Sequence, residues 1–149
     1  MVCRTNDGEG CFTLSIYRQH ENALRFDTVF SISMKEGAWF GAASKILKRH
    51  DIGFNWRHRK NQIELHVGGH QRVKKLISTV LPYLIVKKPL AKRLLTFPKA
   101  PARNRFTPVD RPYIDEICDI VDYVREFNRG KNRRHKWNGE TIREFYGLK

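Results

Sequence analysis

The chain has 149 residues, 40% hydrophobic and 11% aromatic, and its 29 Lys+Arg against 15 Asp+Glu give a formal charge of +14. That length supports one domain with its own core, the composition excludes a disordered basic tail, and the charge points to a polyanionic partner. No apolar run approaches bilayer length and no secretory leader is apparent, while Cys3, Cys11 and Cys118 form neither a zinc pattern nor a disulfide framework. The expected setting is therefore intracellular (cytoplasm, nucleoid or an organelle), with no membrane partner.

At the start of the chain, Asn6-Asp7-Gly8-Glu9-Gly10-Cys11-Phe12 sets a carboxylate between two glycines just ahead of an alternating segment. Asp-Gly pairs are common turn formers, and from these residues alone a β-turn is the better reading. The other reading is chemical. An acid aimed at an anionic partner makes sense where a divalent cation sits between it and a phosphate.

From Cys11 to Tyr17 apolar Phe12, Leu14 and Ile16 alternate with Thr13, Ser15 and Tyr17, which predicts a strand. Residues 18–22 are polar and read as the turn. A second strand follows, with Leu24, Phe26, Thr28, Phe30, Ile32 and Met34 on one side and Arg25, Asp27, Val29, Ser31 and Ser33 on the other. Alternation of this length indicates an antiparallel sheet with one covered and one solvated face. Residues 35–50 read as a helix, with Trp39, Phe40, Ala43, Ile46 and Leu47 near helical spacing. A second hairpin spans residues 54–59 and 62–67 across Lys60-Asn61, and Gly68-Gly69 ends it. Helices are expected over 70–81, broken at Pro82, and again after Pro89. Residues 98–112 are proline-rich and basic and read as a loop. The segment 113–127 is amphipathic, with Ile114, Ile117, Ile120, Val121 and Val124 along one side, and a last short helix is expected over 139–146.

The predicted architecture is α+β: ββα, ββα, then helices, in a single domain over 1–149. Four antiparallel strands carry helices on one face and leave the other open. By alternation the open face presents Thr13, Ser15, Tyr17, Gln19, Arg25, Asp27 and Ser31 from the first hairpin, with Val29 among them. The second hairpin adds Asn55, Arg57, Arg59, Gln62, Glu64 and His66. Arg, Gln, Asn and Glu match base edges in the major groove of DNA, which admits a β-ribbon. A plain solvated face is the bland alternative, but in so basic a chain groove reading is preferred. The cluster Lys131, Arg133, Arg134 and Lys136, with Arg129, suits phosphate contacts that position without reading sequence. The histidines show no convincing metal-ligand spacing.

At this point the residues carry a family resemblance. Asp7-Gly8-Glu9-Gly10-Cys11-Phe12 resembles the end of the LAGLIDADG motif of homing endonucleases. Leu81-Pro82-Tyr83-Leu84-Ile85-Val86-Lys87-Lys88 is similar to the segment that delivers a lysine to the active site in that family. Residues 113–128, 131–136 and 139–143 resemble the C-terminal region of single-motif members. The resemblance implies the ββα-ββα LAGLIDADG fold and a homing endonuclease that hydrolyses both strands of a long pseudo-palindromic DNA site. Such enzymes are commonly intron-encoded. It implies Glu9 as the metal-binding acid, the Gly8 carbonyl as a second oxygen ligand, and Mg²⁺ as cofactor, with Mn²⁺ able to substitute. It implies Lys87 as the residue that stabilises charge on the scissile phosphate or organises water. Asp7 would be structural. One motif copy implies a homodimer joined through the motif helix.

Two departures stand out. The family places an apolar helix before the acid, whereas here the short, polar Met1-Val2-Cys3-Arg4-Thr5-Asn6 precedes Asp7, so segment 1–10 reads either as a truncated motif helix with a weakened dimer seam or as a start inside a longer reading frame. At the end of the second strand the family commonly carries a glutamine that orders water, and Met34 stands there; a thioether cannot donate a hydrogen bond. These departures keep open a cleavage-inactive nucleic-acid-binding relative, such as an intron RNA maturase. A basic structural RNA-binding protein, such as a ribosomal component, is the other rival.

Overall fold

The computed structural model describes residues 10–35, 38–59, 62–101, 109–128 and 136–148. The sequence suggests one domain; the chain packs as two compact units, residues 1–15 with 27–95, and residues 16–26 with 96–149. Residues 1–9 of the truncated motif segment, the Lys60-Asn61 turn and residues 102–108 of the 98–112 loop lie outside the described residues.

Four strands, β1 (Cys11–His20), β2 (Ala23–Met34), β3 (Asn55–Arg59) and β4 (Gln62–Gly68), form one antiparallel sheet in the order β1-β2-β4-β3. Strand β1 runs three residues beyond the expected Tyr17, so Arg18, Gln19 and His20 are strand and the turn narrows to Glu21-Asn22. The polar character of 18–20 had suggested a turn, but strand pairing satisfies their backbone equally well.

The first unit holds helices α1 (Trp39–Arg49), α2 (His70–Val80) and α3 (Lys88–Leu95), with a 3₁₀ turn at Leu81–Tyr83 where Pro82 ends α2. Register separates the two faces of the sheet here. Phe30, Ile32 and Met34 lie opposite Val67, Leu65 and Ile63, with Trp56 and His58 beyond them on β3. This row is the covered side, and most of it is buried. Val73, Leu76, Ile77 and Val80 of α2 are buried together with the β4 side chains. Each such aliphatic residue contributes about 1.5–3 kcal/mol. Helix α1 reaches the same side through Phe40, whose ring stacks on Trp56 at 3.7 Å. Gly69 joins β4 to α2 with φ 94, a conformation that suits glycine; its N–H bonds the Thr28 carbonyl and its own carbonyl opens the helix at Val73.

The second unit contains the far end of the first hairpin with α4 (Arg111–Phe127) and α5 (Gly139–Phe145). Helix α4 starts two residues before the expected Tyr113, because Pro112 sits in its first turn, where no N–H is needed. Asp110 caps it through the Tyr113 N–H. Ile114, Ile117, Cys118, Ile120, Val121 and Val124 are buried against Ile142. Asn138 and Thr141 form a reciprocal cap on α5, and the Gly139 N–H donates to Asp122 at 2.8 Å. Arg143 bridges Asp115 at 3.0 Å and Asp119 at 3.4 Å. The Tyr146 hydroxyl accepts the Leu24 N–H at 2.9 Å, and Arg18 lies over the Phe145 ring, which ties the hairpin tip to α5. Burial raises the Cys118 thiol to about 11, so it stays protonated.

Candidate functional site

Strand β1 enters the fold through Gly10, which is buried, and Phe12, which is fully buried with its ring 4.9 Å from Phe30. The backbone immediately after Glu9 is therefore pinned to the core. Lys87 comes to the same point from 77 residues away. Its ammonium donates a hydrogen bond to the Gly10 carbonyl. Two anchors fix Lys87 along the chain: Leu84 is buried three residues before it, and the Lys87 carbonyl accepts the Ala91 N–H that opens α3. The long separation in sequence is closed by packing, and the cation meets the backbone one residue past the acid.

Gly8 and Glu9 themselves lie outside the described residues. Their fit to a divalent ion rests on donor chemistry: a carboxylate and a backbone carbonyl are hard oxygen ligands of the kind Mg²⁺ takes. Among the described residues no group of three or more His, Cys, Asp or Glu is placed to hold a metal.

The open face is ordered by register. Ser33, Glu64 and Arg57 form one cross-strand row, Ser31, His66 and Asn55 the next, and Gln62 lies opposite Arg59. Asn55, Arg57 and Gln62 are exposed, as are Ser15, Tyr17, Gln19 and Arg25 on the first hairpin, while Thr13, Asp27 and Ser31 are half-buried. Glu64 departs from the expectation of an open residue. It is 8% exposed, because β4 is a central strand with Ser33 on one side and Arg57 on the other. Ser33, which alternation places on the same side as Ser31, joins these polar rows opposite Glu64. Lys136 is exposed, with its ammonium 5.3 Å from the Trp137 ring; Lys131, Arg133 and Arg134 lie outside the described residues.

Two histidines have pKa values below the ordinary imidazole range. Burial and the Arg57 guanidinium push His66 down, against the Glu64 carboxylate. Burial and Lys74 do the same to His70, against Asp27. Neutral His66 offers one donor and one acceptor, and its Nδ1 has no hydrogen-bond partner among the described residues. Its ring lies over Gly68, where a β-carbon would stand 2.8 Å from Cε1. Any side chain at position 68 would displace it.

A helix-backed antiparallel sheet with one polar face, and a lysine bonded to the Gly10 backbone at its edge, can be compared with solved structures. The homing endonuclease I-CvuI in complex with its target matches with a TM-score of 0.73 at 18% identity, over 98% of this chain and 90% of that one. The fold is that of the LAGLIDADG homing endonucleases. The archaeal intron-encoded homing endonuclease I-Vdi141I, complexed with DNA, matches at 0.64 and 19% identity over 98% and 92% of the two chains. The group I intron-encoded homing endonuclease I-CeuI, complexed with DNA, matches at 0.67 and 18% over 97% and 73%. No protein-family model and no curated protein sequence matches the chain. Among the described residues, no helix is long and apolar enough to cross a membrane.

Proposed function

We propose that this protein is a sequence-specific DNA endonuclease of the homing type that cleaves both strands of a long, roughly palindromic duplex in a Mg²⁺-dependent reaction. The observation that carries this reading is the Lys87 ammonium on the Gly10 carbonyl, one residue from Glu9. It joins the two segments to which the resemblance assigns catalysis, and it does so in a fold whose solved members include DNA complexes. Lys87 would turn from the Gly10 carbonyl toward the scissile phosphate and stabilise the charge that develops there. Glu9 and the Gly8 carbonyl would hold the ion, whose contribution is Lewis acidity toward the phosphate. I-CvuI has been crystallised on DNA with Mg²⁺ and with Ca²⁺, which supports a divalent ion.

The exposed polar rows of the sheet would read base edges. Arg57, Gln62 and Asn55 have the donor and acceptor pattern for guanine and adenine. Lys131, Arg133, Arg134 and Lys136 would contact backbone phosphates. A single motif requires two copies of the chain for two cuts, and exposed apolar residues beside Lys87 support such a pairing. Ile85 is 81% exposed and Val86 63%, an exposure that a second protomer would relieve.

One observation favours a second reading. Met34 ends β2 half-buried opposite Ile63, in the covered row, and offers no donor to order water. A binding protein without cleavage, such as a maturase, would tolerate it. The test is selection from a randomised duplex library with Mg²⁺. Cut molecules enriched for one near-palindromic site support the nuclease; a retained but uncut sequence supports the second reading.

A further inference from the structure

Charge is distributed unevenly over this chain, and the reading sheet does not hold most of it. The four strands carry four arginines against Asp27 and Glu64. Helices α1, α2 and α3 carry nine Lys and Arg and no Asp or Glu. Helices α4 and α5 reverse the sign, with seven acids against three arginines, and Asp115 and Asp119 are tied to Arg143.

The basic side chains of α1 and α2 point away from the sheet. Both helices bury their apolar residues on its covered side, and Lys45, Lys48, Arg49, Arg72, Lys74 and Lys75 are all exposed. Lys45, Lys48 and Arg49 fall at i, i+3 and i+4, one stripe of α1, and Arg72 and Lys75 make a stripe on α2. The stripes approach each other at the 51–53 turn. Lys75 donates to the Asp51 carbonyl and carboxylate at 3.0 Å, and the Arg72 guanidinium lies against Gly53.

Local physics opposes this arrangement. Like charges at helical spacing repel, and Arg72 stands in the first turn of α2, where the helix dipole favours an acid. No acid occupies the first turn of α1, α2 or α3. A folding cost concentrated on one surface calls for a partner that offsets it. Because this surface lies opposite the reading face, a duplex seated on the sheet leaves it free.

We propose that the α1–α2 surface is a second binding site, for the phosphate backbone of a further double-helical nucleic acid segment. The chemistry fits a duplex backbone rather than a single strand. The exposed groups are point charges and guanidinium forks. The only aromatics of α1, Trp39 and Phe40, are half-buried around Trp56 and offer no platform for unstacked bases. DNA and RNA duplexes share this backbone chemistry, and the test separates them. The proposal goes beyond the endonuclease reading and does not depend on it.

The test uses the full chain and two variants, Lys45→Gln/Lys48→Gln/Arg72→Gln/Lys74→Gln on the helices and Arg25→Gln/Arg57→Gln on the sheet. Binding of a short DNA duplex, a short RNA duplex and oligo-dT is followed against salt, after thermal melts show that both variants fold. The helix variant should lose about 3–4 in the slope of log K against log salt on at least one duplex, from four lost phosphate contacts. Whichever duplex shows the loss names the source. The sheet variant should keep that component. On wild type already saturated with a library-selected target, a second duplex should still bind. Unchanged slopes in the helix variant, strict competition between the second duplex and the target, or a loss seen only with oligo-dT would overturn the proposal. Absence of any cut or retained library site, with the helix-side slope loss intact, would sink the endonuclease reading and leave this one standing.

Discussion

Replacing Lys87 by Met keeps the side-chain length and removes the ammonium that bonds the Gly10 carbonyl. The lysine is half-buried and Gly10 is buried, so water replaces the lost partner poorly. A charge-assisted hydrogen bond is worth about 1.5–3 kcal/mol, and partial exposure places this one near 2 kcal/mol. For a chain of this length that corresponds to a melting-temperature loss of roughly 4–8 °C. Lys92→Met, on the exposed side of α3, should stay within about 0.5 kcal/mol of wild type and serves as the control. Below both melting temperatures, DNA cleavage by Lys87→Met should fall about 10²–10³-fold, the usual loss when a group that stabilises developing charge is removed. Denaturant melts give the first quantity and single-turnover cleavage of a selected target the second. If Lys87→Met melted with the control and cut at the wild-type rate, the ammonium would hold neither the motif backbone nor the phosphate.

Three further outcomes follow from the geometry. Arg57→Ala should relax discrimination at one base position in each half-site by about 1–3 kcal/mol, with other positions unchanged, as read from cleavage of single-substituted targets. Ile85→Asp with Val86→Asp should shift sedimentation from dimer to monomer and abolish double-strand cutting, while the far-UV spectrum stays that of the wild type. The third concerns pH. His66 and His70 are held below their unfolded value of 6.5, so the unfolded chain binds more protons as acid is added. Their contribution to stability is present above that value and lost as pH falls toward the native ones. Between about pH 7 and pH 5, His66→Gln/His70→Gln should lose less melting temperature than wild type; equal losses would remove these imidazoles from the account.

Much of this fold was legible in the sequence, and the reasons differ by element. The period-two alternation of Phe12, Leu14 and Ile16, and of Leu24, Thr28, Phe30 and Ile32, marked a sheet with one buried face because only that period buries one side of a strand. Ends were harder. Residues 18–20 look like a turn but pair as strand, and Pro112 looks like a breaker but opens α4. Burial of Glu64 depends on its neighbours across two strands, which local pattern cannot supply. The meeting of Lys87 with Gly10 spans 77 residues, and no periodicity encodes it. The family resemblance put those two segments in one site; composition alone left Lys87 among many surface lysines. The concentration of charge on α1 and α2 was readable by counting. Its placement opposite the polar rows needed the sheet register.

The central claim is that Glu9, the residue that precedes Gly10 in sequence, is the acid of a DNA-cleaving site. The most direct measurement compares wild type with Glu9→Gln on one library-selected duplex, following binding and cutting together in Mg²⁺. The account predicts that Glu9→Gln binds the target as tightly as wild type and leaves both strands intact. Cutting by Glu9→Gln at the wild-type rate would contradict it.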